Sequence, residues 1–252
     1  MKTKKRVVSY SLYGSKPMYL LGAIENIKTA AWLFPDFICR FYVDDTVPAT
    51  FLEQIKQYKN VEVIDMTGSN LPKMTWRFLP ADDSNVELFL SRDADSRLST
   101  REKWIIEDWM QHGKQFLLIK DHPVFYKGFL MMGGLWGMKN LFPYGMEQMI
   151  RNWWQQYPQA GLEIYNDDQH FLSSVIYPAI LDELSYYDNY NLNGLPFAQK
   201  IKIRRKNFHF IGEAFDENNQ RLGHYKELRN YHLKQLGLPG KWFVKLLYKL
   251  KV

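Results

Sequence analysis

Between residues 7 and 120 the chain alternates short apolar runs with segments whose apolar residues recur at helical spacing, and this alternation restricts the fold more than any single motif. Residues 7–12 read as a buried strand. Residues 17–34 then place Leu20, Leu21, Ile24, Ile27 and Ala31 along one helix face. Residues 37–43, 61–64, 86–91 and 115–120 read as further strands, with helices over 49–58, 74–79 and 101–112. Strands separated by helices in this way predict an α/β chain with a largely parallel sheet. Ligands of such sheets bind beyond the carboxyl ends of the strands. Tyr13-Gly14, Asp44-Asp45, Asp93 to Asp95 and Asp121-His122 are therefore expected on one edge. Beyond residue 120 the pattern is less regular.

The run over residues 86–91 is an apolar strand that delivers Asp93 and Asp95 to its exit. If the backbone is extended there, both carboxylates point the same way. Such a pair suits Mg²⁺ or Mn²⁺, which favour oxygen ligands and share them with a substrate diphosphate. The competing reading is a helix cap with a surface acid pair.

Asp93-Ala94-Asp95 after a hydrophobic strand resembles the D-x-D site of GT-A glycosyltransferases. Three further segments resemble glycosyltransferase family 8. Trp76-Arg77-Phe78-Leu79 is similar to its Y-x-R-L helix, Asn166-Asp167-Asp168-Gln169 to its D-Q segment, and His209-Phe210-Ile211-Gly212 to the start of its H-F-x-G-x-x-K-P-W motif. The stretch from Phe129 to Leu135 resembles the family's F-N-x-G-x-x-L strand, where Gly133 and Gly134 would face the transferred sugar. The run from Ser91 to Arg97, S-R-D-A-D-S-R, also resembles bacterial and viral polysaccharide glycosyltransferases.

The resemblance implies a GT-A (nucleotide-diphospho-sugar transferase) fold over residues 1–236, with a Rossmann-like, mostly parallel central sheet flanked by helices. It implies a UDP-hexose donor, a saccharide or lipid-linked acceptor, and transfer with retention of anomeric configuration. Asp93, Asp95 and His209 would hold the metal, and Gln169, Asp168 and Arg77 would lie at the reaction centre. Tyr10, Ser11 and Tyr13, at the end of the first strand, are expected at the base or ribose, where an aromatic ring can stack. One departure matters: Glu213-Ala214-Phe215 follows Gly212, so the family's diphosphate lysine is missing from its place. Lys206, or one of Lys200, Lys202, Arg204 and Arg205, would have to supply that charge, since Ile201 and Ile203 alternate as on a half-buried strand. The alternative is an edge strand protected by charge.

Charge distribution separates a tail from the body. Residues 228–252 hold six basic and no acidic residues, whereas the rest balances 27 of each and is neutral. Residues 237–252 place Lys241, Lys245 and Lys249 on one stripe of a helix otherwise rich in Trp, Phe, Leu and Tyr, a pattern that suits an anionic membrane surface. A helix docked on the body is the alternative. This tail suggests a peripheral protein on the cytoplasmic face of a membrane, active in cell-surface polysaccharide or lipopolysaccharide synthesis. A balanced body argues against nucleic acid as the partner, because a binding groove would need its excess charge on the folded domain. A sugar nucleotidyltransferase would carry a glycine-rich basic loop after the first strand, and Ser11-Leu12-Tyr13-Gly14-Ser15 lacks it. Cys39 is the only cysteine, so no internal disulfide forms and a reducing compartment is expected.

Overall fold

The computed structural model describes residues 4–124, 128–157 and 166–235. Its first half follows the expected alternation, with β1 (Lys5–Leu12), α1 (Pro17–Leu33), β2 (Phe37–Val43), α2 (Ala49–Ile55) and β3 (Val61–Asp65). A 3-10 helix (Lys73–Asp82) leads into β4 (Val86–Ser91), α3 (Thr100–His112) and β5 (Phe116–Lys120). Then come β6 (Trp136–Lys139), α4 (Met146–Gln156), α5 (Asp167–Phe171), a π turn (Leu172–Ile176), α6 (Tyr177–Ile180), β7 (Leu184–Asp188) and α7 (Tyr225–Gln235).

The strands form one seven-stranded sheet in the order β3-β2-β1-β4-β6-β5-β7. β1 pairs in parallel with β2 and β4, β2 with β3, and β5 with β7. β6 runs antiparallel to both of its neighbours, β4 and β5. Since β6 reverses between them, β4 and β5 point the same way. The carboxyl ends of β1, β2, β4 and β5 therefore share one edge, as expected from the sequence.

Alternation along the strands fills a core on each face of the sheet. Val8, Tyr10 and Leu12 pack with Ala23 and Ile27 of α1 and with Ile105 and Trp109 of α3. On the opposite face Val7 and Phe89 join Trp76 and Phe78 of the 3-10 helix, Trp136, and Met146 and Ile150 of α4. Ser99 caps α3 by accepting from the Glu102 amide at 3.2 Å.

Two local expectations are corrected. The segment from Phe129 to Leu135 is not itself a strand; the strand begins at Trp136, whose ring is held edge-on by Phe78 and Phe89 at 5.4 and 5.1 Å. The alternation around Ile201 and Ile203 forms no strand, and only an isolated bridge from Tyr187 to Gln199 joins that region to the sheet. The helix expected over 74–79 forms, as a 3-10 helix over Lys73–Asp82 that contains Pro80, a residue lacking the amide an α-helix would need. The proposed tail, residues 237–252, and its boundary at 236 lie outside the described residues. No described helix is long and apolar enough to cross a membrane.

Lys120, at the carboxyl end of β5, is only 2% exposed and donates to the Phe129 carbonyl and Asn193 Oδ1, both at 2.7 Å. Burial, partly offset by Asp188, pushes its ammonium down to about 8 from an ordinary 10.5. Between those values the unfolded chain binds more protons, so this group makes stability rise with pH by up to about 1.4 kcal/mol per unit. Urea denaturation from pH 7.5 to 10.5 should show a shallower rise, or a steeper fall, in Lys120→Met than in the wild type. Parallel curves would contradict the burial of this charge.

Candidate functional site

The turn after β4 is fastened from two sides, and both fastenings explain why Asp93 and Asp95 sit where they do. On one side, α1 supplies Gly22 and Asn26, one helical turn apart. Asn26 Nδ2 donates to the Ala94 and Ser96 carbonyls at 3.3 and 2.8 Å, and its Oδ1 accepts from the Leu98 amide at 3.1 Å. A Cβ at position 22 would lie 2.0 Å from the Ala94 carbonyl oxygen, so only glycine lets the helix approach this closely. On the other side, Arg92 is 1% exposed, pairs with buried Glu102 of α3, and donates to the Ser91 carbonyl at 2.6 Å. The same guanidinium reaches the Gly134 and Trp136 carbonyls at 3.4 and 3.3 Å, and Ser91 Oγ donates to the Gly133 carbonyl at 2.6 Å. These bonds lock the Gly133-Gly134 segment against the Asp93 turn.

Arg77 stands at the centre of the site. Its backbone amide donates to Ser11 Oγ at 3.0 Å, and its guanidinium bridges Asp93 Oδ1 at 2.8 Å and Asp168 Oδ2 at 2.6 Å. Burial works against the charge, but Asp93 and Asp168 outweigh it and hold the group's proton affinity above its ordinary value. Gly133 and Gly134 press directly on this network. A Cβ at 133 would meet Asp168 Oδ2 at 2.1 Å and an Arg77 nitrogen at 2.2 Å; one at 134 would meet Asp93 Oδ2 at 2.0 Å. Four segments far apart in sequence thus meet at one point of the sheet edge.

Asp95 is pushed up to about 7, first by burial and then by the charge of Asp93. Two mutually repelling carboxylates form an oxygen donor set that fits a divalent ion keeping water or phosphate as its other ligands. The His209 arm of the expected set is corrected. Among the described residues no group of three or more His, Cys, Asp or Glu side chains gathers to hold an ion. The His209 segment does reach the turn, through Phe215, whose amide donates to the Asp95 carbonyl at 3.0 Å, and through the bridge between Ser96 and Ala214. Its imidazole, however, stands 3.8 Å from Glu213 and is pushed down to about 4 by burial and then by Arg221.

The remaining expected residues divide clearly. Tyr10 is corrected: it is fully buried and stacked on Phe41 at 4.9 Å, because alternation along β1 turns it into the core rather than toward a ligand. Ser11 turns the other way and holds the Arg77 helix. Tyr13 is half-buried at the edge, its ring 6.2 Å from Trp76. Asp167 and Asp168 form the first turn of α5 and are each 2% exposed, so both carboxylates are turned into the protein. Asn166 adopts a left-handed φ of 79° and accepts from Gln169 Nε2 at 2.7 Å, leaving Gln169 Oε1 buried with no hydrogen-bond partner among the described residues. Lys206 is exposed, and its carbonyl accepts from the His209 amide at 2.9 Å. Arg205 is committed to Asp121. Gly22, Asn26 and Glu102 lie outside every motif, and Arg92 enters only as part of the S-R-D-A-D-S-R run. Of the first three, Gly22 alone left a signal, a glycine inside a helix.

No protein-family model and no curated protein matches the chain. Similar solved structures include a glycosyltransferase involved in the glycosylation of the major capsid of PBCV-1, at 10% identity and a TM-score of 0.40, covering 80% of this chain and 94% of that one. Another is 4-diphosphocytidyl-2C-methyl-D-erythritol synthase from Anaerococcus prevotii, at 11% identity and a TM-score of 0.38, covering 68% of this chain and 82% of that one. At that identity and overlap, activity has to be argued from the residues themselves.

Proposed function

We propose that the chain is a glycosyltransferase that takes a hexose from a nucleotide diphosphate-sugar, of the UDP type, and passes it to a saccharide or lipid-linked acceptor. The observation that carries this reading is the bridge from Arg77 to Asp93 and Asp168 beneath Gly133 and Gly134. A purely structural role explains it poorly. Buried ion pairs are weak sources of stability, and here the pair is accompanied by a carboxyl forced up to about 7 and a buried amide oxygen with no partner among the described residues. Unfavourable groups gathered at a strand edge mark a site selected for chemistry or binding.

In this reading Asp93 and Asp95 hold Mn²⁺ or Mg²⁺, which when bound stabilises negative charge on the leaving diphosphate. Arg77 fixes the carboxylates and adds positive charge beside the leaving group. The two glycines let the sugar approach the backbone. Gln169 Oε1 accepts from the sugar or the incoming hydroxyl, Asp168 stabilises positive character at the anomeric carbon, and the Tyr13 ring lies where a base can stack. Retention of configuration, cell-surface polysaccharide or lipopolysaccharide synthesis, and attachment of residues 237–252 to an anionic membrane at the cytoplasmic face extend the proposal.

Thermal denaturation with UDP, GDP or CMP, each with and without Mn²⁺, tests the donor site. A nucleotide at 100 times its Kd should stabilise by about 2.7 kcal/mol, which at this chain length raises Tm by about 5–10 °C. The shift should require Mn²⁺ and vanish in Asp93→Ala and Asp95→Ala. A folded sample unmoved by any nucleotide would reject the reading.

A further inference from the structure

Three of the basic residues in the 200–206 region stand together at one cleft. Lys202, Arg204 and Arg205 line a cleft of about 420 Å³ together with Arg101, against apolar walls that include Ile203 and Phe208. Among the described residues four cations line it and no carboxylate does. Beneath it, buried Asp121 accepts from Arg101 Nε and a terminal guanidinium nitrogen, both at 2.8 Å, and also pairs with Arg205. One acid thus faces two guanidinium groups, which leaves one positive charge uncompensated before Lys202 and Arg204 are added. Arg205 Nε is buried with no hydrogen-bond partner among the described residues, and Lys202 and Arg204 are exposed.

This cleft shares the sheet edge with the Arg77 site. Leu135, which follows Gly134, packs against Gly212, and the neighbouring Ile211 donates its amide to Asp121 Oδ2 at 3.2 Å. Leu135 and Ile211 are 2% and 0% exposed, so buried apolar side chains stand beside Gly134 on one side and beside Asp121 on the other. The acidic groups acting most strongly on Arg77 are Asp93 and Asp168, whereas His209, on the Ile211 segment, feels Asp121, Arg101 and Arg205. One small ligand group held at Arg77 therefore does not also occupy the cleft.

We infer that the cleft around Arg101, Lys202, Arg204 and Arg205 binds a single anionic substituent, phosphate or carboxylate, on a saccharide, and that this saccharide is the acceptor. Guanidinium and ammonium groups recognise these anions through charge-assisted hydrogen bonds, while Ile203 and Phe208 offer an apolar surface to a sugar face. The acceptor role rests on the transferase reading; the anion binding does not.

The test uses full-length protein with ¹³C-labelled isoleucine methyls, titrated at constant ionic strength with glucose 6-phosphate, glucuronate and glucose. The Ile201 and Ile203 methyl signals should move with one or both anions and not with glucose; which anion moves them decides between phosphate and carboxylate. Lys202→Ala/Arg204→Ala, at exposed positions outside the donor site, should weaken that binding about tenfold or more. Unmoved methyls, equal movement by glucose, or unchanged affinity in the double variant would overturn the proposal. UDP with Mn²⁺ is titrated in parallel. Nucleotide binding without anion binding refutes the cleft alone, and anion binding without nucleotide binding keeps the anion site while removing its acceptor role.

Discussion

Arg77→Met is expected to destabilise the fold by about 3–5 kcal/mol, because truncating one partner of a buried pair strips the other of the counter-charge it is buried with. The cost should fall mainly on Asp168, whose side chain is 3% exposed, and less on Asp93, which at 45% exposure can turn to solvent. Adding Asp168→Asn to Arg77→Met should therefore recover part of the loss in urea denaturation, and Asp93→Asn should recover little. Arg77→Lys keeps the charge but cannot span two carboxylates with a planar fork, so it should fold better than the methionine variant and still lose donor turnover. If Arg77→Met changes stability by less than about 0.5 kcal/mol, the range of ordinary surface substitutions, the bridge does not exist as described.

Gly134→Ala is expected to cut donor turnover about 100-fold while costing the fold about 1–3 kcal/mol. The added methyl carbon would fall 2.0 Å from Asp93 Oδ2 and 2.9 Å from the Asp93 backbone nitrogen. Rotating the carboxylate relieves only the first contact, and Arg77 opposes that rotation from the other side. A displaced Asp93 should weaken Mn²⁺-dependent nucleotide binding in step with turnover. Wild-type turnover in Gly134→Ala would show that the close approach of this loop has no part in the chemistry.

Periodicity exposed five of the seven strands, β1 to β5, because each is bounded by turn residues and the first four are each followed by a helix. The convergence of strand ends followed from parallel order alone. β6 was not legible, since Trp136 to Lys139 is four residues long and its reversed direction is fixed by pairing with β4 and β5 rather than by local preference. Tyr10 misled for a related reason: adjacency to Ser11 suggests a shared role, yet a one-residue step along a strand reverses the face. Arg77, Asp93, Asp168, Gly133 and Gly134 were each singled out by motif, and the structure gathers them. What no motif conveyed was the scaffold behind them, Asn26 holding the turn from α1 and Arg92 tied to Glu102, because such partners are joined only by the fold. The neighbours of the cations near residue 204 were hidden for the same reason, since Asp121 reaches Arg101 and Arg205 across the chain.

The most direct test incubates the protein and Mn²⁺ with UDP-, GDP- and CMP-linked sugars, with and without candidate saccharides, and follows donor and product by ¹H NMR. One donor should be consumed with release of its nucleotide and appearance of a new anomeric signal of the donor's own configuration, and Asp93→Ala should abolish the reaction. A folded protein that leaves every donor intact while binding none of the nucleotides would contradict a transferase site at Arg77 and Asp93.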